Sequence, residues 1–503
     1  MPTELAEPES VTPAAAEQAE AIKIPVDDGG WSSMSVKQRV RVLGRLRHVL
    51  AEQAERFVKP LRELPTRTHD AETLSAEVLP LAEACRWLEK DAPRLLRPEK
   101  LGGSGRPMWL WGVDSEVRRE PVGNVLVIGP GNYPLFLPGV QVVQALAAGN
   151  RVWVKPSPAP GSREVILELA AALREVGLPE GVFNILGTDP AEAEAIFDTF
   201  DKVFLTGSEA TGKAVQAKCA EHGIPCVMEL SGCDAVFVLG GADVELAAKC
   251  VAFGLKLNGS ATCIAPRRVL VHHALHDRFV TKLLTLLADA EPVACPPATL
   301  ERVRGLVEQA VADGGQSRTD ESLAGPAVRP VLLTDLSSNS PILDADIFAP
   351  VVSVLSVKDT ADALEANACC GYRLGASVFG PESEARALAE ELDVGCVVVN
   401  DVVVPTADPR LPFAGRGRSG FGATRGAAGL LEMTQVKAIA VRRRKLYPHL
   451  RPTDETTAPL LAGLLKLGHA EGISARVRAG MSLLRLSKRP KNAVAEVDQE
   501  STS

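Results

Sequence analysis

The stretch VLVIGPGNYPLFLPGVQVVQALAAGNRVWVK, residues 125–155, passes from a strand pattern to a helix pattern and back. Its first four residues form a continuous apolar run, which is typical of a strand buried on both faces of a parallel sheet. A glycine- and proline-rich turn at 129–134 leads into an apolar segment at 135–148 that has the length of a helix and ends at Gly149. Residues 152–154 predict the next strand. This unit predicts an α/β fold built on a doubly wound parallel sheet.

The same alternation continues on both sides of this stretch. Further strands are predicted at 182–186 and 202–205, and a second α/β unit is predicted from residue 235, with strands at 235–239, 268–271, 351–355 and 395–400. Residues 35–62 and 71–96 predict helices, and 290–340 predicts helix and loop. Residues 107–120 predict a hairpin, and 436–441 predict a last strand.

These patterns divide the chain into a set of predicted regions. They are a disordered leader at 1–20, a first α/β domain at 21–106 and 120–234, strands of a small β element at 107–119 and 433–447, a second α/β domain at 235–432, and a partly disordered helical tail at 448–503. The tail has two candidate helices, at 458–469 and 473–489, and the second is basic and loosely amphipathic. Packing against protein is the favoured interpretation of that helix, and contact with a membrane surface is the alternative.

Composition limits the possible classes of function. The 503 residues carry a net charge of −8, which disfavours nucleic acid as a partner. No apolar run approaches the ~18 residues of a membrane span, and the N-terminus lacks the pattern of a signal peptide. The ten cysteines show no C-x-x-C pair, so reduced thiols in a cytoplasm are expected. His272, His273 and His276 match no metal-binding pattern, and no metal site is predicted.

Several polar residues follow directly on predicted strands. Asn132, Lys155, Gly207 and Glu229 each lie at or just beyond a strand end. Ligands of doubly wound sheets bind at the carboxyl ends of the strands, so these residues are expected to share one site. Cys263 lies 34 positions after Glu229 (263 − 229). A thiol beside a buried carboxyl group suits covalent catalysis, although the pair alone is weak evidence.

A series of short motifs makes the interpretation specific. In chain order they are Glu120-Pro121-Val122-Gly123, the turn at 130–135, Ala147-Ala148-Gly149-Asn150, Val154-Lys155-Pro156-Ser157, residues 177–184, Phe204-Leu205-Thr206-Gly207-Ser208, the Glu229 and Cys263 motifs, Ile347-Phe348-Ala349-Pro350, and residues 412–422. In this order they resemble the aldehyde dehydrogenase superfamily over residues 35–447. The Tyr447-Pro448 tail loosely resembles the fatty-aldehyde branch of that superfamily.

The resemblance implies the reaction and its residues. Cys263 would attack the aldehyde, Asn132 would hold the oxyanion with the Cys263 backbone N–H, and Glu229 would activate the water that hydrolyses the thioester. The product would be a carboxylic acid, formed with reduction of NAD or NADP. The cofactor-binding residues implied are Lys155 and Ser157, Gly207 and Ser208 at a helix N-terminus, and Asp346 and Phe348 at the nicotinamide half. The resemblance makes the domain at 21–106 and 120–234 the dinucleotide-binding domain and the domain at 235–432 the catalytic domain. It also implies a homodimer joined through the small β element.

Some residues depart from the superfamily pattern. Pro158 replaces a frequent glutamate that would bind a free ribose 2′-hydroxyl, so NADP or dual use is expected. Ser231, Cys233, Asp346 and Gly131 also replace common residues. These departures keep open a second hypothesis, a catalytically weak dinucleotide-binding or scaffolding relative. CoA-acylating chemistry is a further alternative, and Glu229 argues against it because it is the base for water.

Overall fold

The computed structural model describes residues 30–319, 323, 325–445, 447–450 and 452–487. The predicted leader at 1–20, Arg489 and the end of the predicted tail helix lie outside the described residues. The chain divides into two compact units. The first comprises residues up to 100 together with 116–439, and the second comprises 101–115 together with the residues from 440 onward.

The first unit contains a six-stranded sheet. Its strands, in spatial order, are Gly420–Phe421, Cys226–Leu230, Lys202–Gly207, Asn124–Ile128, Arg151–Lys155 and Phe183–Ile185. All neighbours are parallel except the first pair, in which Gly420 lies opposite Glu229. A short strand from late in the chain therefore borders the strand that carries Glu229.

A seven-stranded sheet lies in the same unit. Its order is Gln316–Ser317, Val331–Thr334, Val351–Val357, Pro266–His272, Asp234–Val238, Gly375–Phe379 and Cys396–Val399. It is parallel apart from its first pair. Both sheets are predominantly parallel and alternate with helices, which confirms the predicted α/β fold. Two small antiparallel pairs complete the strands of this part, Val293–Ala294 with Ala327–Val328 and Tyr372–Arg373 with Arg416–Gly417.

Helices cover the sheets of the first unit. The main ones are Val36–Glu52, Ala54–Leu61, Leu79–Leu95, Phe136–Ala148, Ser162–Glu175, Glu209–His222, Val244–Lys256, His276–Leu287, Pro297–Ala312, Thr360–Asn367, Glu382–Glu391 and Gly426–Glu432; shorter ones are Gly30–Ser33, Asp70–Thr73 and Pro190–Glu194. The helix Phe136–Ala148 is buried along its whole length, as its apolar sequence predicts. A π-helical turn, Leu74–Val78, leads into Leu79–Leu95. It carries Glu77 into the interior.

Three strands form a further sheet in the order Glu99–Leu101, Val113–Pro121, Thr434–Arg442. The predicted hairpin at 107–120 is wrong. Met108–Leu110 is a short 3-10 helix, and the long strand begins after Gly112, whose φ of 83° lets the chain turn. Trp109 and Trp111 are each 60% exposed instead of alternating across a strand.

The second unit also contains two helices, Thr457–His469 and Ile473–Ser487. They approach closely at Gly463, where a Cβ atom would lie 2.5 Å from Leu483. The basic run before them makes specific contacts: Arg443 binds Asp114 at 2.9 Å, and the Arg444 guanidinium lies 3.8 Å from the centre of the Trp111 ring. No described helix has the length and apolar character needed to cross a membrane.

Two inner strands were not predicted from sequence. Val331–Thr334 lies in the stretch expected to be helix and loop, and its four residues are too few to show a period. Gly375–Phe379 contains glycine, alanine and serine, which have little strand preference. Both are fixed by neighbours distant in sequence, Val351–Val357 and Asp234–Val238.

Candidate active site

Cys263 lies just after an unusual turn. Three consecutive residues, Asn258, Gly259 and Ser260, have φ angles of 51°, 57° and 64°. The Asn258 side chain stabilises the turn, since its amide N donates to the Asn132 carbonyl at 2.9 Å and to the Ala261 carbonyl at 3.2 Å. One side chain thus joins the segment that carries the thiol to the segment that carries Asn132.

Asn132 lies in the turn after the strand Asn124–Ile128. Its amide N donates to the Ala261 carbonyl at 2.9 Å, and its Oδ1 accepts from the Tyr133 N–H at 3.0 Å. The Tyr133 hydroxyl is 2.6 Å from the Thr262 hydroxyl. Burial raises the pKa of Tyr133 to about 12, so this group stays protonated. The Asn132 amide therefore lies next to the backbone that leads into Cys263.

A buried ion pair supports this turn. Arg67 Nη2 lies 2.8 Å from Glu77 Oε1 and also donates to the Asn132 carbonyl at 3.1 Å. Glu77 Oε2 accepts from the backbone N–H groups of Leu135 and Phe136, at 2.7 and 3.1 Å. Burial raises the pKa of Glu77, and the Arg67 charge and the two N–H groups oppose that rise. The sequence did not identify this pair, because Arg67 lies between the two predicted helices and Glu77 lies within the second, where a charged residue is expected on the surface.

Glu229 is 2% exposed at the end of the strand Cys226–Leu230. The Thr424 hydroxyl donates to its Oε2 at 2.7 Å, while its buried Oε1 makes no hydrogen bond with any described residue. Burial raises the pKa of Glu229, and the Arg425 charge and the Thr424 hydrogen bond oppose that rise. A buried carboxyl group with a raised pKa and one free oxygen has the properties of a general base.

The Cys263 thiol is electrostatically coupled to this carboxyl group. Its pKa is raised well above its usual value, first by burial and then by the charges of Glu229 and Asp234, while Arg425 lowers it. The resting group is therefore a thiol, and its proton needs an acceptor before it can act as a nucleophile. Thr424 and Arg425 were missed by the sequence analysis, which carried no signal for their burial.

Lys155 ends the strand Arg151–Lys155, next to Ile128 of the neighbouring strand. Burial lowers its pKa, and the nearby charge of Asp189 opposes that shift. The turn that follows Lys155 packs closely against the Asn132 turn. A Cβ atom added to Gly131 would lie only 2.8 Å from the Ser157 hydroxyl oxygen. Any side chain at position 131 would press on Ser157 and Ala159, and glycine avoids this contact.

Gly207 and Ser208 precede the helix Glu209–His222. The Ser208 hydroxyl caps this helix by accepting from the Thr211 N–H at 3.2 Å. Glu209, in the first turn, is neutralised by Arg418 at 2.9 Å and Lys213 at 2.8 Å, and these contacts lower its pKa to about 2. A capped helix N-terminus on one strand end and a lysine on another fit the pyrophosphate and ribose of a dinucleotide.

Asp346 and Phe348 lie along a cavity beside the helix Pro297–Ala312. Burial raises the pKa of Asp346, and a hydrogen bond from Ser231, two residues after Glu229, lowers it. Asp346 therefore lies near the end of the Glu229 strand. Within the described part of the chain, no hydrogen bond or ion pair joins Phe348 to Cys263, Glu229 or Asn132.

Comparison with known proteins identifies the family of the chain. The model of the aldehyde dehydrogenase family matches residues 3–439. The chain is 31% identical over 428 residues to a 4,4'-diapolycopene aldehyde oxidase of Methylomonas sp, covering 83% of this chain and 80% of that protein. It is 32% identical over 326 residues to the dimeric NADP-preferring aldehyde dehydrogenase of Rattus norvegicus, covering 62% and 70%.

A solved structure gives the same result. The Mycobacterium tuberculosis aldehyde dehydrogenase complexed with NAD+ superposes with a TM-score of 0.76 and 25% identity, covering 87% of this chain and 91% of that one. The chain belongs to the aldehyde dehydrogenase family, whose general reaction is the oxidation of an aldehyde to a carboxylic acid with NAD or NADP.

Proposed function

We propose that Cys263 is the nucleophile, Glu229 the general base and Asn132 the oxyanion donor of this aldehyde dehydrogenase. The observation that carries the proposal is the 2.9 Å hydrogen bond from the Asn132 amide to Ala261, two residues before Cys263. It sets an amide donor beside the thiol. The free Oε1 of Glu229 supplies the acceptor that this thiol requires.

The steps follow from these groups. Glu229 takes the thiol proton, and the Cys263 sulfur attacks the aldehyde carbon to form a thiohemiacetal. The oxyanion accepts hydrogen bonds from the Asn132 amide and the Cys263 N–H. Lys155, Ser157, Gly207 and Ser208 would hold NAD(P), which would supply the hydride acceptor, and Cys263 would then carry the acyl group as a thioester. Glu229 releases the thiol proton to solvent and then takes a proton from water, which attacks the thioester. The acid leaves, and the Cys263 thiolate takes up a proton to restore the thiol.

We infer a cofactor site with Lys155 and Ser157 at the ribose, Gly207 and Ser208 at the pyrophosphate, and Asp346 and Phe348 at the nicotinamide half. Pro158 leaves no carboxylate directly after Lys155-Pro156-Ser157, which favours NADP or dual use. The dimeric relative from rat prefers NADP by name. Asp189 is a carboxylate near Lys155 that the sequence did not identify, and it weakens that preference.

We also propose a homodimer in the cytoplasm. The exposed Trp109 and Trp111 and the strand Thr434–Arg442 favour association through the small β element. All ten cysteines are free thiols, which fits a reducing compartment. Sedimentation at micromolar concentration tests the assembly, and a single monomeric species contradicts it.

The deciding experiment measures reduced-cofactor formation with NAD and NADP over short, long and aromatic aldehydes. Cys263→Ala should lower kcat by at least about a thousandfold, because it removes the nucleophile. Cys369→Ala, at an exposed cysteine, is the matched control and should keep full activity. Glu229→Gln should lower kcat and also slow the first turnover, because it removes the acceptor for both the thiol proton and the water proton. Turnover that survives Cys263→Ala contradicts the proposal.

A further inference from the structure

Arg418 connects two segments of the proposed cofactor site that lie far apart in the chain. Its Nε donates to Glu209 Oε2 at 3.0 Å, and Glu209 lies in the first turn of the helix Glu209–His222. Its Nη1 donates to Asp344 Oδ2 at 2.6 Å, and Asp344 precedes Asp346 by two positions. One guanidinium therefore joins the helix at the proposed pyrophosphate position to the segment at the proposed nicotinamide position.

Tyr372 completes this network. The centre of its ring lies 4.2 Å from the guanidinium carbon of Arg418. Its hydroxyl accepts from Arg418 Nη2 at 3.1 Å and donates to Glu209 Oε2 at 3.0 Å. Burial raises the pKa of Tyr372, so the hydroxyl keeps its proton and remains a donor. Lys213 contacts Glu209 Oε1 at 2.8 Å, so both oxygens of the Glu209 carboxylate are engaged.

The position of Glu209 makes these contacts important for an anionic ligand. A carboxylate in the first turn of a helix is attracted to the positive end of that helix, which is also the end that a pyrophosphate would use. The first N–H groups of a helix have no partner within it, and the Ser208 hydroxyl accepts from that of Thr211. A Glu209 carboxylate released from its partners would be drawn to the remaining N–H groups and would compete with a pyrophosphate for them.

We propose that Arg418 is a positioning residue for the dinucleotide, because it keeps the Glu209 carboxylate engaged and so leaves the helix N–H groups to the pyrophosphate. Its contact with Asp344 also fixes this helix relative to the segment at the nicotinamide half. The inference rests on the proposed function, which assigns Gly207 and Ser208 to the pyrophosphate. Arg418 acts through Glu209, so its effect should appear in cofactor binding before any aldehyde is present.

The test measures the Kd of NADPH and of NADH with the full-length protein, from the change in fluorescence of the reduced cofactor on binding. Arg418→Gln should raise both Kd values by about threefold to tenfold, the size expected for a partly exposed charge contact. Adding Glu209→Gln should return them to within about twofold of the wild type, because the competing carboxylate is gone. With Arg418 intact, the same Glu209→Gln change should alter Kd by less than about twofold.

Arg416→Gln is the matched control. Arg416 lies two positions before Arg418 in the chain, and its pair with Asp393, at 2.8 Å, is more than half exposed. This variant removes the same charge from the same segment without touching Glu209, so both Kd values should stay unchanged.

Equal Kd values in the wild type and Arg418→Gln would overturn the inference. An effect of Glu209→Gln that is the same with and without Arg418 would also overturn it, because the two residues would then act independently. Neither result would affect the proposed reaction, which Cys263→Ala tests separately.

If Arg418→Gln does not fold, Tyr372→Phe decides the question. It removes the hydroxyl that donates to Glu209 and should raise Kd by about threefold, and an unchanged Kd would refute the inference. A wild-type protein that binds neither cofactor would contradict the proposed cofactor site, and the inference with it.

Discussion

Replacing Glu77 with glutamine removes one charge of the buried Arg67–Glu77 pair and keeps the shape of the side chain. The two side chains are 2% and 0% exposed, so water cannot solvate the arginine that remains. Removing one partner of a buried ion pair costs about 3–5 kcal/mol. Glutamine still accepts a backbone N–H in the Asn132 turn, so we expect a loss of about 3 kcal/mol in the free energy of unfolding.

Equilibrium unfolding in urea, followed by fluorescence and circular dichroism, measures this loss. Glu83→Gln is the matched control, because its pair with Arg86 is 46% to 68% exposed, and it should change stability by less than about 0.5 kcal/mol. The double variant Arg67→Met/Glu77→Gln should recover most of the loss, since it leaves no unpaired charge and keeps an acceptor for the backbone N–H groups of Leu135 and Phe136. A Glu77→Gln variant as stable as the Glu83→Gln control would refute the reasoning. The kcat of Glu77→Gln should also fall, because Arg67 anchors the Asn132 carbonyl.

Two further predictions concern pH and the cofactor. Thr424→Val removes a hydrogen bond that lowers the pKa of Glu229. The rise of kcat with pH should therefore move to higher pH by about one unit. A profile that stays in place or moves to lower pH would contradict Glu229 as the base. Asp189→Asn removes a negative charge near Lys155, so the ratio of kcat/KM with NADP to kcat/KM with NAD should rise by about threefold to tenfold. A ratio that falls would show that Asp189 does not repel the 2′-phosphate of NADP.

The part of the candidate site on the six-stranded sheet could be predicted from the sequence. Lys155, Gly207 and Glu229 could be grouped because parallel strands end at the same edge and each strand has a clear apolar pattern. Cys263 could not be placed in this way, since it follows a left-handed turn that has no period. Only its motif identified it.

Glu77 and Arg425 could not be predicted from the sequence for a different reason. Glu77 lies in a π-helical turn, which shifts the 3.6-residue periodicity and brings a charge to a buried position. Arg425 lies beyond the last motif, and its burial depends on Phe413 and Phe136 from distant parts of the chain. Sequence patterns report local periodicity, whereas the burial of a single charge depends on tertiary packing.

The hydrogen bond from the Asn132 amide to Ala261 has a kinetic consequence under the proposed roles. The amide nitrogen carries two hydrogens, and the bond to Ala261 together with the Oδ1 contact to Tyr133 fixes the plane in which both lie. The second hydrogen therefore has a set direction before any aldehyde binds. A mobile donor would have to reorient while negative charge develops on oxygen, and that reorganisation would add to the activation barrier. In this enzyme the dipole is oriented when the chain folds, so the barrier does not contain that contribution.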